Sequence, residues 1–140
     1  MSIQAVLLPV FALVALLFVL LACTAATRVA AIKAGKVRMQ DIALGQHAWP
    51  TKIEQVSNAY ANNMQLPLLF YALVAFALLT KKTDLLFVVM SWLFVALRYA
   101  HAFVHVTSNY VPTRFYLFAA GMAALLAMWA IFAVRVLAAI

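Results

Sequence analysis

The chain has 140 residues, of which 69% are hydrophobic and only 9% carry a charge, with a formal net charge of +7. This composition lies far outside the range of soluble globular domains and predicts one membrane-embedded domain covering residues 1–140. The positive charge does not predict nucleic-acid binding, because the basic residues flank hydrophobic segments.

Four hydrophobic segments are long enough to cross a bilayer as helices, which requires about 20 mainly apolar residues each. The predicted spans are residues 3–27, 56–79, 85–107 and 114–138. Continuous apolar runs exclude transmembrane β-strands, which alternate and are about half as long. The sequence therefore predicts an all-α membrane protein built as a four-transmembrane-helix bundle.

The one long connection is predicted at residues 28–55, between the first two spans. The side of the membrane that holds this connection carries more basic residues than the side that holds the two termini. The first has Arg28, Lys33, Lys36, Arg38, Lys52 and Arg114, and the second has Lys81, Lys82 and Arg135. The positive-inside rule then predicts a cytoplasmic long connection and non-cytoplasmic termini. We expect the inner membrane of a bacterium as the location, with anionic lipid attracting the basic connection.

A row of polar side chains marks the beginning of the second span. Spacings of four, four and three residues place its members on one face of a helix: Glu54, Asn58, Asn62 and Gln65. Pro67 follows inside the span and is expected to kink this helix, because proline removes a backbone donor and crowds the carbonyl of Asn63.

The third span carries ionisable residues at helical spacing, namely Arg98, His101 and His105. Burying such a group at membrane depth costs at least about 2 to 3 kcal/mol, so these residues usually pair, line a cavity or do chemistry. Antiparallel spans of this length place Arg98 to His105 at the depth of Asn58 to Gln65. We therefore predict that the two polar faces meet, with Arg114 closing the site from the start of the fourth span.

These groups favour a small anionic polar ligand. A guanidinium binds carboxylate or phosphate in a two-pronged geometry, amides offer both donors and acceptors, and imidazoles titrate near neutrality. A second interpretation is purely structural. In that interpretation Arg98 pairs with Glu54 or with helix carbonyls, and the amides only join the helices.

The spacing of His101 and His105 also suits two imidazoles on one metal ion. Catalytic zinc sites usually need three protein ligands, however, and the only further histidine, His47, lies in the long connection. We therefore expect no metal.

The segment EQVSNAYANNMQLPLLFYAL resembles a motif of the MAPEG superfamily, the membrane-associated proteins of eicosanoid and glutathione metabolism. That motif approximates E-R-x-x-R-A-x-x-N-x-x-E followed by an apolar run often containing proline, and Glu54, Ala59, Asn62 and Pro67 match it. RYAHAFVH is similar to the family's arginine followed by aromatic residues three and seven positions later. Arg114 resembles the basic residue that opens the last helix.

The resemblance implies a homotrimer with sites between adjacent subunits, open to the cytoplasm. It implies glutathione held by residues of the second and third helices, here Glu54, Asn58, Asn62, Gln65, Arg98, His101 and His105. Arg114 would activate the thiol as the catalytic residue. The chain departs from the family's pattern at several of these positions. Asn58 stands in place of arginine, Gln65 in place of glutamate, and His101 and His105 in place of common tyrosines.

Two functions follow as expectations. The first is a glutathione- or thiol-dependent transferase or peroxidase that acts on lipophilic electrophiles and uses Arg114 to favour the thiolate. The second is a non-catalytic lipid-binding or scaffold protein that keeps the fold. An acyl chain or other lipophilic ligand would then lie among Phe70, Tyr71, Phe94 and Phe103.

Overall fold

The computed structural model describes all 140 residues and contains helices and turns but no strand. Its helices are α1 (Ile3–Lys33), α2 (Thr51–Asn62), α3 (Leu66–Leu79), α4 (Leu85–Val106) and α5 (Val111–Leu137), with a 3-10 turn at Met39–Asp41. Because α2 and α3 follow each other within one crossing, the chain has four helical segments long and apolar enough to span a membrane.

The helices extend past the predicted spans into the connection between the first two crossings. α1 continues to Lys33 and then stops at Gly35, whose φ of +72° is a left-handed conformation. The amide of Lys36 donates to the carbonyl of Ala31 at 3.0 Å, which closes a Schellman motif. With α2 beginning at Thr51, the connection is residues 34–50. Both helices thus continue into the connection predicted between the spans, at residues 28–55.

The second crossing breaks into two helices where a kink was predicted. α2 ends at Asn62, three turn residues follow, and α3 begins at Leu66 with Pro67 in its first turn. Proline is well tolerated in a first helical turn, where its missing amide hydrogen would have no partner. The break therefore places the polar side chains of Asn62 and Asn63 at a helix end inside the crossing.

The core lies between α1, α3, α4 and α5 and is mostly aliphatic, with two aromatic rings at its centre. Phe70 and Phe94 are fully buried and stack with their ring centroids 5.0 Å apart. Phe103, by contrast, points outward with 68% of its surface exposed. Core packing therefore accounts for Phe70 and Phe94, whereas Phe103 lies on the outer surface, so these rings do not share one lining for an acyl chain.

The two ends of the bundle differ in what they contain. At one end, which we name the turn side, both termini meet the connection between α3 and α4: the amino terminus lies 3.5 Å from the carbonyl of Thr83, and Lys82 donates to the carbonyl of Ile140. The opposite end, the loop side, holds the 34–50 connection and the short link between α4 and α5.

Asp84 on the turn side has two roles. It caps α4 by accepting a hydrogen bond from the amide of Phe87 at 2.9 Å, and it pairs with Arg135 at 2.7 Å. The hydrogen bond from Arg135, followed by that from the Phe87 amide, lowers the pKa of the Asp84 carboxyl. Because the carboxyl pKa is lower in the folded state, its ionised form stabilises the fold. This stabilisation is complete above the pKa of the unfolded chain, about 3.9, and is lost as the pH falls through the pKa of the folded state.

We predict that Asp84→Asn, which keeps an oxygen for the cap, lowers the free energy of unfolding at pH 7 by less than about 1 kcal/mol, because the ion pair is partly exposed. Asp84→Ala also removes the cap and should cost about 1 kcal/mol more. The difference between parent and Asp84→Asn should shrink as the pH is lowered from about 5 to about 3, around the carboxyl's unfolded pKa. Thermal unfolding of the parent and both variants in detergent micelles measures these differences. An equal loss of stability in the two variants would contradict the capping role.

Candidate functional site

Arg98 joins α4 to the break between α2 and α3. Its side chain is only 1% exposed, and its Nη2 donates to the Asn62 Oδ1 at 2.5 Å and to the Asn63 Oδ1 at 3.2 Å. A longer contact of 3.4 Å reaches the backbone carbonyl of Asn62. The two shorter contacts use side-chain amide oxygens, so the asparagines at the end of α2 are the main acceptors for the buried guanidinium.

No carboxylate neutralises this guanidinium. The chain has three acidic residues, and each is engaged elsewhere: Asp41 with Arg38 at 2.9 Å, Glu54 with His47 at 2.6 Å, and Asp84 with Arg135. The pairing of Arg98 with Glu54 that the structural interpretation allowed is therefore wrong. The Nε and Nη1 of Arg98 are buried and have no hydrogen-bond partner in the chain.

Two imidazoles extend this polar core toward the loop side. His101 and His105 are 2% and 6% exposed, and their rings meet edge to face with centroids 5.6 Å apart. The Nδ1 of each ring is buried without a partner. The structure contains no cluster of three His, Cys, Asp or Glu side chains that could hold a metal ion.

An open cavity of about 250 Å³ lies between the helix break, α4 and the start of α5, and we name it the α5 cavity. Its polar wall consists of Asn62, Gln65, His101 and Arg114, and its apolar wall of Val111, Phe115 and Phe118. Arg98 lies behind this wall, since its guanidinium carbon is 6.0 Å from the Phe118 ring and its Nη2 reaches Asn62. Arg98 thus acts on the cavity through Asn62.

The link between α4 and α5 holds Arg114 in place. Asn109 adopts a positive φ of 52° and accepts a hydrogen bond from the Arg114 Nη1 at 2.6 Å. Asparagine tolerates this left-handed conformation better than most residues. Arg114 is half-buried and its remaining donors have no partner in the chain, so they are available to a ligand in the α5 cavity.

Side chains of α2 cap the end of α4 close to the imidazoles. Gln55 donates to the carbonyls of His105 at 2.7 Å and Thr107 at 3.0 Å, and Lys52 donates to the carbonyl of Val106. These carbonyls belong to the last turn of α4 and have no partner within the helix. The capping fixes α2 against α4 beside the α5 cavity.

Glu54 and Asn58 lie in a different place from the other predicted site residues. They line a neighbouring depression of about 320 Å³, which we name the loop depression, together with Arg28, His47 and Trp49. Arg28 donates to the Ser57 hydroxyl at 2.6 Å and stacks on the Trp49 ring at 4.7 Å. The 34–50 connection contributes His47 and Trp49 to the loop depression, and a second depression of about 310 Å³ lies between Glu54, Asn58 and Asn109 of the α4–α5 link.

The predicted site residues therefore lie in three different places. Asn62, Gln65, His101 and Arg114 come together around the α5 cavity, Arg98 and His105 are buried behind it, and Glu54 and Asn58 belong to the loop depression. Sequence reasoning missed Asn63 as a partner of Arg98 and Asn109 as a partner of Arg114. The carbonyl crowded by Pro67 pointed to Asn63, whereas no pattern pointed to Asn109.

The family comparison agrees with this architecture over nearly the whole chain. A sequence profile of the MAPEG family matches residues 6–134. The chain belongs to the MAPEG family. No curated protein and no solved structure matches it.

We predict energetic coupling between Arg98 and Asn62. In a double-mutant cycle of Arg98→Met and Asn62→Ala, the interaction energy should be about 1 to 2 kcal/mol, because the hydrogen bond is charged and buried. Denaturant titration in mixed micelles gives the four free energies of unfolding.

The control pair is Ser91→Ala with Asn62→Ala. The Ser91 hydroxyl donates to the carbonyl of Phe87 in its own helix at 2.8 Å. These two changes should add to within about 0.5 kcal/mol. Additivity in the Arg98 cycle as well would show that the Arg98–Asn62 contact does not hold the break against α4.

Proposed function

We propose that this MAPEG protein binds glutathione, or a closely related anionic thiol, in the α5 cavity and transfers the thiolate to lipophilic electrophiles or uses it to reduce lipophilic hydroperoxides. The observation that carries the proposal is the uncompensated positive charge of Arg98 and Arg114. Buried charges are normally paired, and the carboxylates of this chain are all engaged elsewhere. An anionic ligand supplies the missing partner.

Different residues of the polar wall bind different parts of such a ligand. The amides of Asn62 and Gln65 offer donors and acceptors to a peptide-like backbone, and Arg114 offers its free donors to a carboxylate or a thiolate. Arg98 is a positioning residue, because its bond to the Asn62 oxygen turns the amide nitrogen of Asn62 toward other partners.

The transfer step needs a thiolate. Arg114 stabilises the ionised sulfur and so lowers the pKa of the bound thiol, and the proton leaves to solvent through the open cavity. The thiolate electron pair then forms a sulfur–carbon bond with the electrophile while the leaving group departs with its own bonding pair. Toward a hydroperoxide, the same thiolate attacks oxygen, the O–O bond breaks and an alcohol leaves after taking up a proton. A second thiol then forms the disulfide from the oxidised sulfur, releasing water.

The apolar wall suits a second substrate that arrives from the bilayer. Phe115 is 63% exposed on the outer surface of α5 while it also lines the α5 cavity beside Phe118. A lipophilic molecule can therefore approach the thiol along these rings without crossing water. This arrangement favours catalysis over simple lipid binding.

The proposal also covers the assembly of the protein and its orientation in the membrane. We propose a homotrimer, as membership of the family implies, with the loop side in the cytoplasm and both termini on the opposite side. The surplus of basic residues on the loop side supports this orientation. A bacterial inner membrane fits the same arrangement, in which membrane lipid covers the exposed apolar side chains of the outer faces.

We predict that glutathione raises the unfolding temperature of the purified parent and that the protein conjugates glutathione with an aromatic halide electrophile. Arg114→Gln should lower the conjugation rate at pH 7 by about tenfold to a hundredfold, because it removes the charge that stabilises the thiolate. Ultraviolet absorbance of the bound thiolate, titrated against pH, should show a higher thiol pKa in the variant.

Arg135→Gln is the matched control, since it removes the same charge from the same helix on the turn side. It should leave both the rate and the thiol pKa unchanged. A folded parent that shows neither glutathione binding nor conjugation would refute the proposal and favour the non-catalytic alternative.

A further inference from the structure

The charged groups around the α5 cavity are all of one sign. Arg114 lies in its wall and Arg98 directly behind it, while the other polar members are the neutral amides of Asn62 and Gln65 and the imidazole of His101. No carboxylate belongs to the wall. The cavity is therefore suited to a negatively charged ligand. Its wall contains no negatively charged side chain that could bind a cation.

The three carboxylates of the chain cannot supply one without breaking other contacts. Asp41 lies in the 3-10 turn of the 34–50 connection, Asp84 lies on the turn side, and Glu54 lines the loop depression with its Oε1 only 2.6 Å from the His47 Nδ1. Among the residues of one chain, a positively charged group in the α5 cavity would therefore find only neutral acceptors.

Even the neutral acceptors are few. The side-chain oxygen of Asn62 already accepts a hydrogen bond from Arg98 and keeps one lone pair, and the oxygen of Gln65 accepts no hydrogen bond within the chain. An ammonium group carries three donors. It would lose part of its hydration in the cavity and would be repelled by the two guanidinium groups.

We infer that the α5 cavity selects anionic thiols that lack a free ammonium group, the amine being absent or acylated. This inference rests on the proposed function, since it names the class of thiol that the proposed site takes. Specificity of this kind arises from a repulsive element as much as from attractive contacts. Because the cavity is open to solvent, the ammonium group is only partly dehydrated, and we expect a preference of about tenfold or more.

The test compares two ligands that differ only in the amine. One is glutathione, and the other is glutaryl-cysteinyl-glycine, in which a hydrogen atom replaces the amino group and no bulk is added. Calorimetry on the full chain in detergent micelles gives both dissociation constants. The parent should bind the amine-free thiol at least about tenfold more tightly, because removing the ammonium group removes its repulsion from the arginines.

Gln65→Glu places a carboxylate in the cavity wall and should reverse this preference. Gln46→Glu is the matched control, because it makes the same chemical change in the loop depression. The control should keep the parent's preference. This result would show that a carboxylate must lie in the cavity wall to bind the amine, and that a change in the overall charge of the protein is not enough.

The outcomes separate the inference from the proposed function. Glutathione binding as tightly as its amine-free analogue, or more tightly, overturns the inference and leaves thiol binding in the α5 cavity intact. Failure of a cooperatively unfolding parent to bind either thiol overturns both. An equal shift of preference in Gln65→Glu and Gln46→Glu would overturn the assignment of selectivity to the cavity wall.

Discussion

The contact between Arg98 and the broken second crossing determines how the polar part of this bundle is arranged. A guanidinium at membrane depth needs acceptors, and the side-chain oxygens of Asn62 and Asn63 at the end of α2 supply two of them. These hydrogen bonds also hold the break against α4, so that the α5 cavity opens beside it.

Charge is the second constraint on the site. With its carboxylates committed to Arg38, His47 and Arg135, the chain leaves Arg98 and Arg114 without an acidic partner. Such an imbalance is costly for a purely structural polar cluster, whereas it is useful in a site that receives an anion. Under the proposed function, the two unpaired arginines are what attracts an anionic thiol to this site.

Much of the fold could be predicted from the sequence, because long apolar runs have few alternatives in a bilayer. The polar face from Glu54 to Gln65 was harder, because helical spacing shows which residues share a face but not which segment packs against each part of it. Residues of the 34–50 connection line the loop depression with Glu54 and Asn58, whereas Asn62 and Gln65 line the α5 cavity. The packing of that connection has no periodic signal, and Pro67 marked the helix break without showing whether the helix would bend or end. The partnership of Asn109 with Arg114 depends on a left-handed turn that asparagine permits but does not require.

A density map of the purified protein with an S-alkylated glutathione bound would test the central claim most directly. The account predicts ligand density in the α5 cavity, with a carboxylate or the sulfur against Arg114, the peptide against Asn62 and Gln65, and the alkyl chain between Phe115 and Phe118 toward the bilayer. Ligand density in the loop depression, between Trp49 and Glu54, with the α5 cavity left empty would contradict it.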